Sequence, residues 1–191
     1  MHAVNTSRTL AYTHLESPIG TLLAAAVEHG VCLLEYVDTP DRWESTLQAF
    51  AKETDSVLVE GEHAHLSRLN DELQAYFSGK LAAFETPLSL VGTDFQKAVW
   101  QELLRIPYGT TRSYKQQALA LGNLEAIRAV AAANGRNHIA IVIPCHRVIG
   151  DDGSLTGYGG GLWRKKWLLE LERDSGLVQR NDLPGDQLRL L

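Results

Sequence analysis

Three short β-like runs open the chain, at residues 10–15, 21–27 and 31–37. They are separated by Ser17-Pro18-Ile19-Gly20 and by Glu28-His29-Gly30, turn-forming clusters that predict an antiparallel meander. The hydrophobic period then lengthens from two to that of a helix. Leu47 with Phe50, and later Leu66, Leu69, Leu73, Tyr76 and Phe77, recur at the spacing of a single helix face, and Gly79 closes the second of these helices. Residues 80–92 show no period and no glycine-rich or repetitive tract, so the pattern predicts a connection draped over a surface rather than a flexible tether.

A second set of helical signals begins at Thr93-Asp94-Phe95-Gln96, where Thr93 can cap a helix and Gln96 can reach back to it. The helix that follows is expected to bury Phe95, Val99, Trp100, Leu103 and Leu104 and to end at Ile106-Pro107-Tyr108-Gly109. Ser113 is positioned to cap a short helix over 114–121, Gly122-Asn123 breaks and recaps the chain, and a further helix covers about 124–133. Two short helices joined by a glycine-containing turn form a helix-turn-helix pattern. In the second, Arg128 is the one long basic side chain among Ala126, Ala129, Ala131, Ala132 and Ala133. Small residues let a helix backbone approach another surface closely, with the arginine reaching beyond it. An alanine-rich core helix with a snorkelling arginine fits the same pattern.

Composition narrows the class. At 191 residues, 45% apolar and 21% charged, the chain is globular. Its apolar run at residues 139–144 is far short of the roughly 20 residues of a membrane span, and its start lacks the apolar core of a secretory signal, so a cytoplasmic protein without a membrane partner is expected. The formal charge of −5 is unevenly spread. Residues 1–92 hold five Lys and Arg against thirteen Asp and Glu, while residues 93–173 hold eleven against seven. A basic segment behind an acidic one is the footprint expected of a module that faces nucleic acid beside one that does not.

The basic segment also contains the chemistry. Cys32 and Cys145 are the two cysteines, and with no CxxC spacing neither a disulfide scaffold nor a zinc ribbon is expected. Cys32 lies in an alternating strand and reads as inert. Cys145 lies in "IPCHRV", where residues 139–143 read as a buried strand that Pro144 ends, putting the thiol at a turn beside His146 and Arg147. A neighbouring base or cation favours the thiolate that attacks electrophiles. Residues 150–161, "GDDGSLTGYGGG", form a loop whose backbone can approach a ligand closely. The helix behind it, residues 162–173, carries Lys165, Leu168, Leu169 and Glu172, and Glu172 is a candidate to orient His146.

The motifs "GTDFQKAVW", "IPYGTTRSY", "RAV", "IPCHRVIG", "GSLTGYGGG" and "RKKWLLELE" occur in the order found in the O6-alkylguanine-DNA alkyltransferases, also called methylated-DNA–protein-cysteine methyltransferases. Over residues 90–173 the chain closely resembles that family, in particular its bacterial Ogt kind. The resemblance implies an α+β fold: a small ribonuclease-H-like antiparallel sheet domain with its draped linker (residues 1–91), packed on a DNA-binding and alkyl-transfer domain with a winged helix-turn-helix (92–175), followed by a tail (176–191). It implies direct-reversal repair of double-stranded DNA containing O6-alkylguanine, in a single irreversible transfer to Cys145 after the nucleotide is flipped out. No cofactor and no metal are implied, and the protein would be a monomer in solution.

By the same resemblance, His146 would draw the thiol proton through water, Glu172 would hold His146, Asn137 would tie the turn to the segment bearing Cys145, and Tyr114 would crowd the phosphate and assist the leaving guanine. Arg128 would fill the vacated stack, with Ala129, Ala131, Ser113 and Tyr114 also facing DNA. Tyr158, Val148, Gly159, Gly160, Asn134 and Lys165 would bind the base. Leu124 and His138 replace usual prolines, Ala131 replaces a usual glycine, and Asn134 stands where some members have methionine. His29, Cys32, His63 and His65 do not match the metal positions known in the family. Two other classes would use the same residues: a cysteine hydrolase or thiol redox protein, and a DNA-binding relative that lacks transfer. A resolving cysteine is wanting for redox chemistry, and non-transferring relatives lack the acceptor cysteine that is present here.

Overall fold

The computed structural model describes residues 8–38 and 40–177. The described residues divide into two compact units, one comprising 8–73 with 85–91 apart from residue 39, the other 74–84 with 92–177. The tail expected at 176–191 lies, from residue 178, outside the described residues. Among the described residues no helix is long and apolar enough to cross a membrane.

In the first unit, β1 (Arg8–Leu15), β2 (Leu22–Val27) and β3 (Gly30–Tyr36) form the expected meander. A fourth strand, β4 (Ser56–Glu60), pairs parallel to β1, so the sheet is mixed and ordered β3-β2-β1-β4. The hydrophobic pattern does not reveal β4 because its valines, Val57 and Val59, are 54% and 47% exposed. Helix α1 (Pro40–Glu53) sets Leu47, Phe50 and Ala51 against Leu10, Leu23, Cys32 and Leu33 of the sheet. Burial pushes the Cys32 thiol up to about 12, which leaves it the inert core residue expected. The connection after residue 80 runs along β3, with Val31 N–H donating to Pro87 and Ser89 N–H to Val31, each at 2.8 Å. A Cβ at Gly30 would lie 2.5 Å from the Pro87 carbonyl oxygen, so only glycine admits this approach.

Helix α2 (Ala64–Phe77) passes from the first unit into the second. His63 precedes it, and His65 Nε2 is 3.1 Å from the Glu28 carbonyl oxygen. Gly79, at φ 66°, ends it as expected.

The second unit follows the helical signals, with three departures. Helix α3 (Asp94–Leu103) has the full capping box between Thr93 and Gln96. It buries Val99, Trp100 and Leu103, whereas Phe95 and Leu104 are each 45% exposed. At 100° per residue those two lie about 90° to either side of the buried stripe, too far round to share it. Two-residue strands β5 (Arg112–Ser113) and β6 (Val148–Ile149) pair in parallel, a contact no periodicity could signal. Helix α4 (Tyr114–Ala120) starts at a Ser113–Gln116 capping box, Gly122 turns the chain at φ 77°, and a 3-10 turn (Leu124–Ala126) leads into α5 (Ile127–Asn134). The third departure is at residues 139–143, which form buried turns rather than a strand. Ile141 is left-handed at φ 70°, and Ile143 N–H donates to the Ile139 carbonyl at 3.0 Å, so the apolar run reports burial and not extension. Helix α6 (Leu162–Asp174) closes the unit.

Candidate active site

Cys145 opens a 3-10 turn, Cys145–Arg147, and is 9% exposed. Pro144 has no N–H to offer, so the turn is held from outside by Asn137. Its Nδ2 donates to the Ile143 carbonyl at 2.8 Å and to Cys145 Sγ at 3.2 Å, while its Oδ1 accepts from Ile139 N–H at 3.0 Å. Burial pushes the Cys145 thiol up, and the Asn137 hydrogen bond and the Lys165 charge oppose that shift.

His146 is fully buried, with Nε2 2.8 Å from Glu172 Oε1. Glu172 accepts at the same time from Tyr76 Oη at 2.7 Å, from Arg147 Nε and Nη2 at 2.9 Å each, and from Gly109 N–H at 3.0 Å. Burial alone would raise this carboxyl, but His146 and Arg147 outweigh it and hold Glu172 well below the usual carboxylate range. An ionised carboxylate only accepts, so Nε2 carries the imidazole proton and Nδ1 is left as an acceptor. Nδ1 is buried and has no hydrogen-bond partner within the protein. Burial, against the pull of Glu172, lowers the histidine below its ordinary 6.5, which keeps the ring neutral at neutral pH.

Beside this set, the β5–β6 pairing fixes the start of α4, where Tyr114 Oη donates to the carbonyls of Gly157 at 3.2 Å and Thr156 at 3.3 Å. Gly157 sits at φ 52°, and a Cβ there would be 3.1 Å from Tyr114 Oη, so this glycine lets the loop close over the tyrosine. Lys165 is buried, and its Nζ donates to the carbonyls of Val148 and Thr156. Burial lowers it to about 8, with Cys145 opposing. The Tyr158 ring stands edge-on to His146 at 6.5 Å. A Cβ at Gly159 would meet nothing within 4 Å, so this part of the loop faces open space, and Gly160 receives a hydrogen bond from Arg164 at 2.9 Å.

On α5, Arg128, Ala129 and Ala132 are exposed while Val130, Ala133 and Asn134 are buried, so the helix turns its arginine and small residues outward. The reading of α5 as a core helix with a snorkelling arginine does not hold. Three other expectations change. Ser113 is buried and its hydroxyl is committed to the cap and to Asp151 at 2.9 Å, so that side chain faces the protein and not DNA. Asn134 gives both ends of its amide to Gln117, so it does not present itself to a bound base. Lys165 spends its Nζ on the backbone carbonyls of Val148 and Thr156 and so braces the loop at 150–161 from within the protein. Ala131 is half-buried on the flank of the exposed face. Tyr76, Arg147 and the Gly109 amide complete the Glu172 shell without having been singled out for it. The position of Arg147 next to His146 was the only available hint.

A buried thiol, a neutral imidazole and a locked carboxylate thus share one compact unit with a two-helix pair that turns an arginine outward. Residues 94–174 match the family model of the 6-O-methylguanine DNA methyltransferase, DNA binding domain, and residues 10–90 that of its ribonuclease-like domain. The chain is 47% identical over 170 residues to the methylated-DNA–protein-cysteine methyltransferase of Methanosarcina barkeri, covering 86% of this chain and 98% of that protein. It is 42% identical to the constitutive enzyme of that name from Bacillus subtilis, covering 86% and 96%. A crystal structure of Mycobacterium tuberculosis OGT in complex with DNA superposes with a TM-score of 0.75 at 43% identity, over 94% of this chain and 98% of that one. The chain belongs to the 6-O-methylguanine DNA methyltransferase family.

Proposed function

We propose that this chain repairs double-stranded DNA by direct reversal, moving the alkyl group of O6-alkylguanine to Cys145 in one irreversible step. The observation that carries this reading is His146, neutral and locked onto Glu172 by Nε2, with Nδ1 free as an acceptor one residue from the thiol. Through a water, Nδ1 takes the Cys145 proton as Sγ attacks the alkyl carbon. The S–C bond forms, the C–O6 bond breaks, and guanine leaves with that electron pair on its ring, eased by a hydrogen bond from Tyr114 once its hydroxyl turns from the Gly157 and Thr156 carbonyls to the base. The carbonyls of Cys145 and Val148 accept from the guanine amine, the Gly159 amide donates to O6, and Tyr158 lines the pocket. No cofactor is needed, because the thiolate supplies both electrons of the new bond. A thioether has no easy hydrolytic exit, so the protein is consumed. Titrating a fixed amount of protein with duplex carrying O6-methylguanine will restore one guanine per molecule and then stop, whereas continued turnover would identify a hydrolase.

The transfer rate will depend on pH in two places. His146 acts as a base only when neutral, so the rate falls as pH drops through its folded pKa, which lies below 6.5. On the alkaline side Lys165 loses its proton near about 8, which loosens its hold on Val148 and Thr156 and lowers the rate again. The Lys165→Met variant will be slow throughout and lack the alkaline limb. An acid limb centred above 6.5 would remove His146 as the base.

Flipping a nucleotide out of the stack costs a few kcal/mol, and Arg128 is the exposed long side chain able to offset that cost from a helix of small residues. Arg128→Ala will therefore lose far more rate on duplex than on free alkylguanine base, measured in single turnovers at saturating protein. If Arg128 only contacted phosphate, saturation would recover the loss, and the salt slope of binding to undamaged duplex would fall by about one.

A further inference from the structure

The helices α4 and α5 are joined by one buried pair of amides. Gln117 and Asn134 are 0% and 6% exposed. Gln117 Nε2 donates to Asn134 Oδ1 at 3.2 Å, and Asn134 Nδ2 donates back to Gln117 Oε1 at 2.7 Å. Gln117 Nε2 also reaches the Val99 carbonyl on α3 at 3.4 Å, and alongside it Trp100 Nε1 donates to the Ala133 carbonyl at 2.9 Å. Two primary amides facing each other in this way make two antiparallel hydrogen bonds. A slide or tilt of one helix against the other breaks both and strands two buried polar groups, a penalty that an apolar contact of the same size does not carry.

What these helices carry gives the pair its meaning. Tyr114 stands at the first position of α4, three residues before Gln117, and Arg128 lies on the outward face of α5, six residues before Asn134. Around the pair, Val99 and Leu103 of α3, Ala118 of α4 and Val130 of α5 are buried apolar residues. A leucine at 117 would keep that burial while releasing the register.

We propose that Gln117 and Asn134 are positioning residues for the DNA-dependent step: their amide pair holds α4 and α5 in the one register in which Tyr114 and Arg128 engage the same nucleotide, and takes no part in the chemistry at Cys145. The inference rests on the repair reading given above. It departs from the expectation that Asn134 binds the base, because both ends of its buried amide are turned to Gln117.

The test is the ratio of two single-turnover rates at saturating intact protein, one on duplex carrying O6-methylguanine and one on free O6-benzylguanine, which needs no flipping. Gln117→Leu will lower the duplex rate about tenfold more than the free-base rate. The exchange Gln117→Asn with Asn134→Gln, which keeps an amide at both ends and the same summed length, will return the ratio to within about threefold of the starting protein. If Gln117→Leu does not fold, the unbranched and nearly isosteric Gln117→Met, which removes both polar ends of the amide, takes its place with the same expected split. Equal losses on both substrates, no loss on either, or an exchange variant no better than the single variant would overturn the positioning role. If the unaltered protein takes an alkyl group from neither substrate, the repair reading fails first and this inference with it.

Discussion

Cys145→Ser will transfer no detectable alkyl group from duplex in a single turnover, yet will bind that duplex about as tightly as the unaltered protein. An alcohol is ionised far less readily than a thiol. A neutral histidine whose own pKa lies below 6.5 cannot generate useful alkoxide from it, although the hydroxyl retains the shape of the turn. The Asn137 hydrogen bonds to Ile143 and Ile139 do not involve sulfur, so the turn keeps its geometry. Cys32→Ser is the matched control. Its thiol donates only a long bond to the Ala25 carbonyl in the core of the first unit, so that change alters packing and leaves transfer intact. Gel-shift binding and label transfer, run on the same preparations, separate the two effects, and residual transfer in Cys145→Ser would remove the thiol from the mechanism.

Glu172→Gln will cost about 3–5 kcal/mol of stability, the range for removing one partner of a buried ion pair, read as a lower urea midpoint at unchanged slope. The carboxylate is 0% exposed and accepts from four groups at once. An amide in its place presents two hydrogens to a guanidinium that needs acceptors, leaving the Arg147 charge buried and unpaired. It also reverses His146. With an amide N–H toward Nε2, the imidazole proton moves to Nδ1, and the atom that was free to accept becomes a donor. Transfer therefore slows for a reason separate from stability, and the slowing persists well below the unfolding temperature. The same carboxylate sets the acid sensitivity of the fold. Its folded pKa is depressed, so its stabilisation is complete above the unfolded value near 4.5 and is lost progressively as pH falls below that. A Glu172→Gln protein of unchanged midpoint would show that the carboxylate is not the keystone its partners indicate.

Local chemistry was the part of this molecule most open to reading from sequence. Both capping boxes, at Thr93 and Ser113, are as the side chains demand, because a cap depends on residues three positions apart. The meander was legible from its alternation and turns, and the His146–Glu172 contact was expected from the resemblance of its motifs to the family. What stayed hidden depends on partners distant in sequence. Strand β4 turns its valines to solvent and is held by β1, some 48 residues away at Tyr12 and Glu60. Tyr76 was visible as a buried helix residue but not as a donor to a carboxylate 96 positions later. Residues 139–143 misled because a run of aliphatics reports burial alone, and here the buried backbone is a tight turn held by Asn137. Asn134 misled for the opposite reason. The resemblance puts it at a position where some family members have methionine, which suggests a base contact, and only the fold reveals Gln117 opposite it.

The most direct measurement is the intact mass of the protein, before and after incubation with duplex carrying O6-methylguanine, followed by peptide mapping. A gain of one methyl group per chain, located on Cys145 and accompanied by restored guanine, is the result predicted. Restored guanine with no change in protein mass, or a methyl group mapped to any residue other than Cys145, would contradict it.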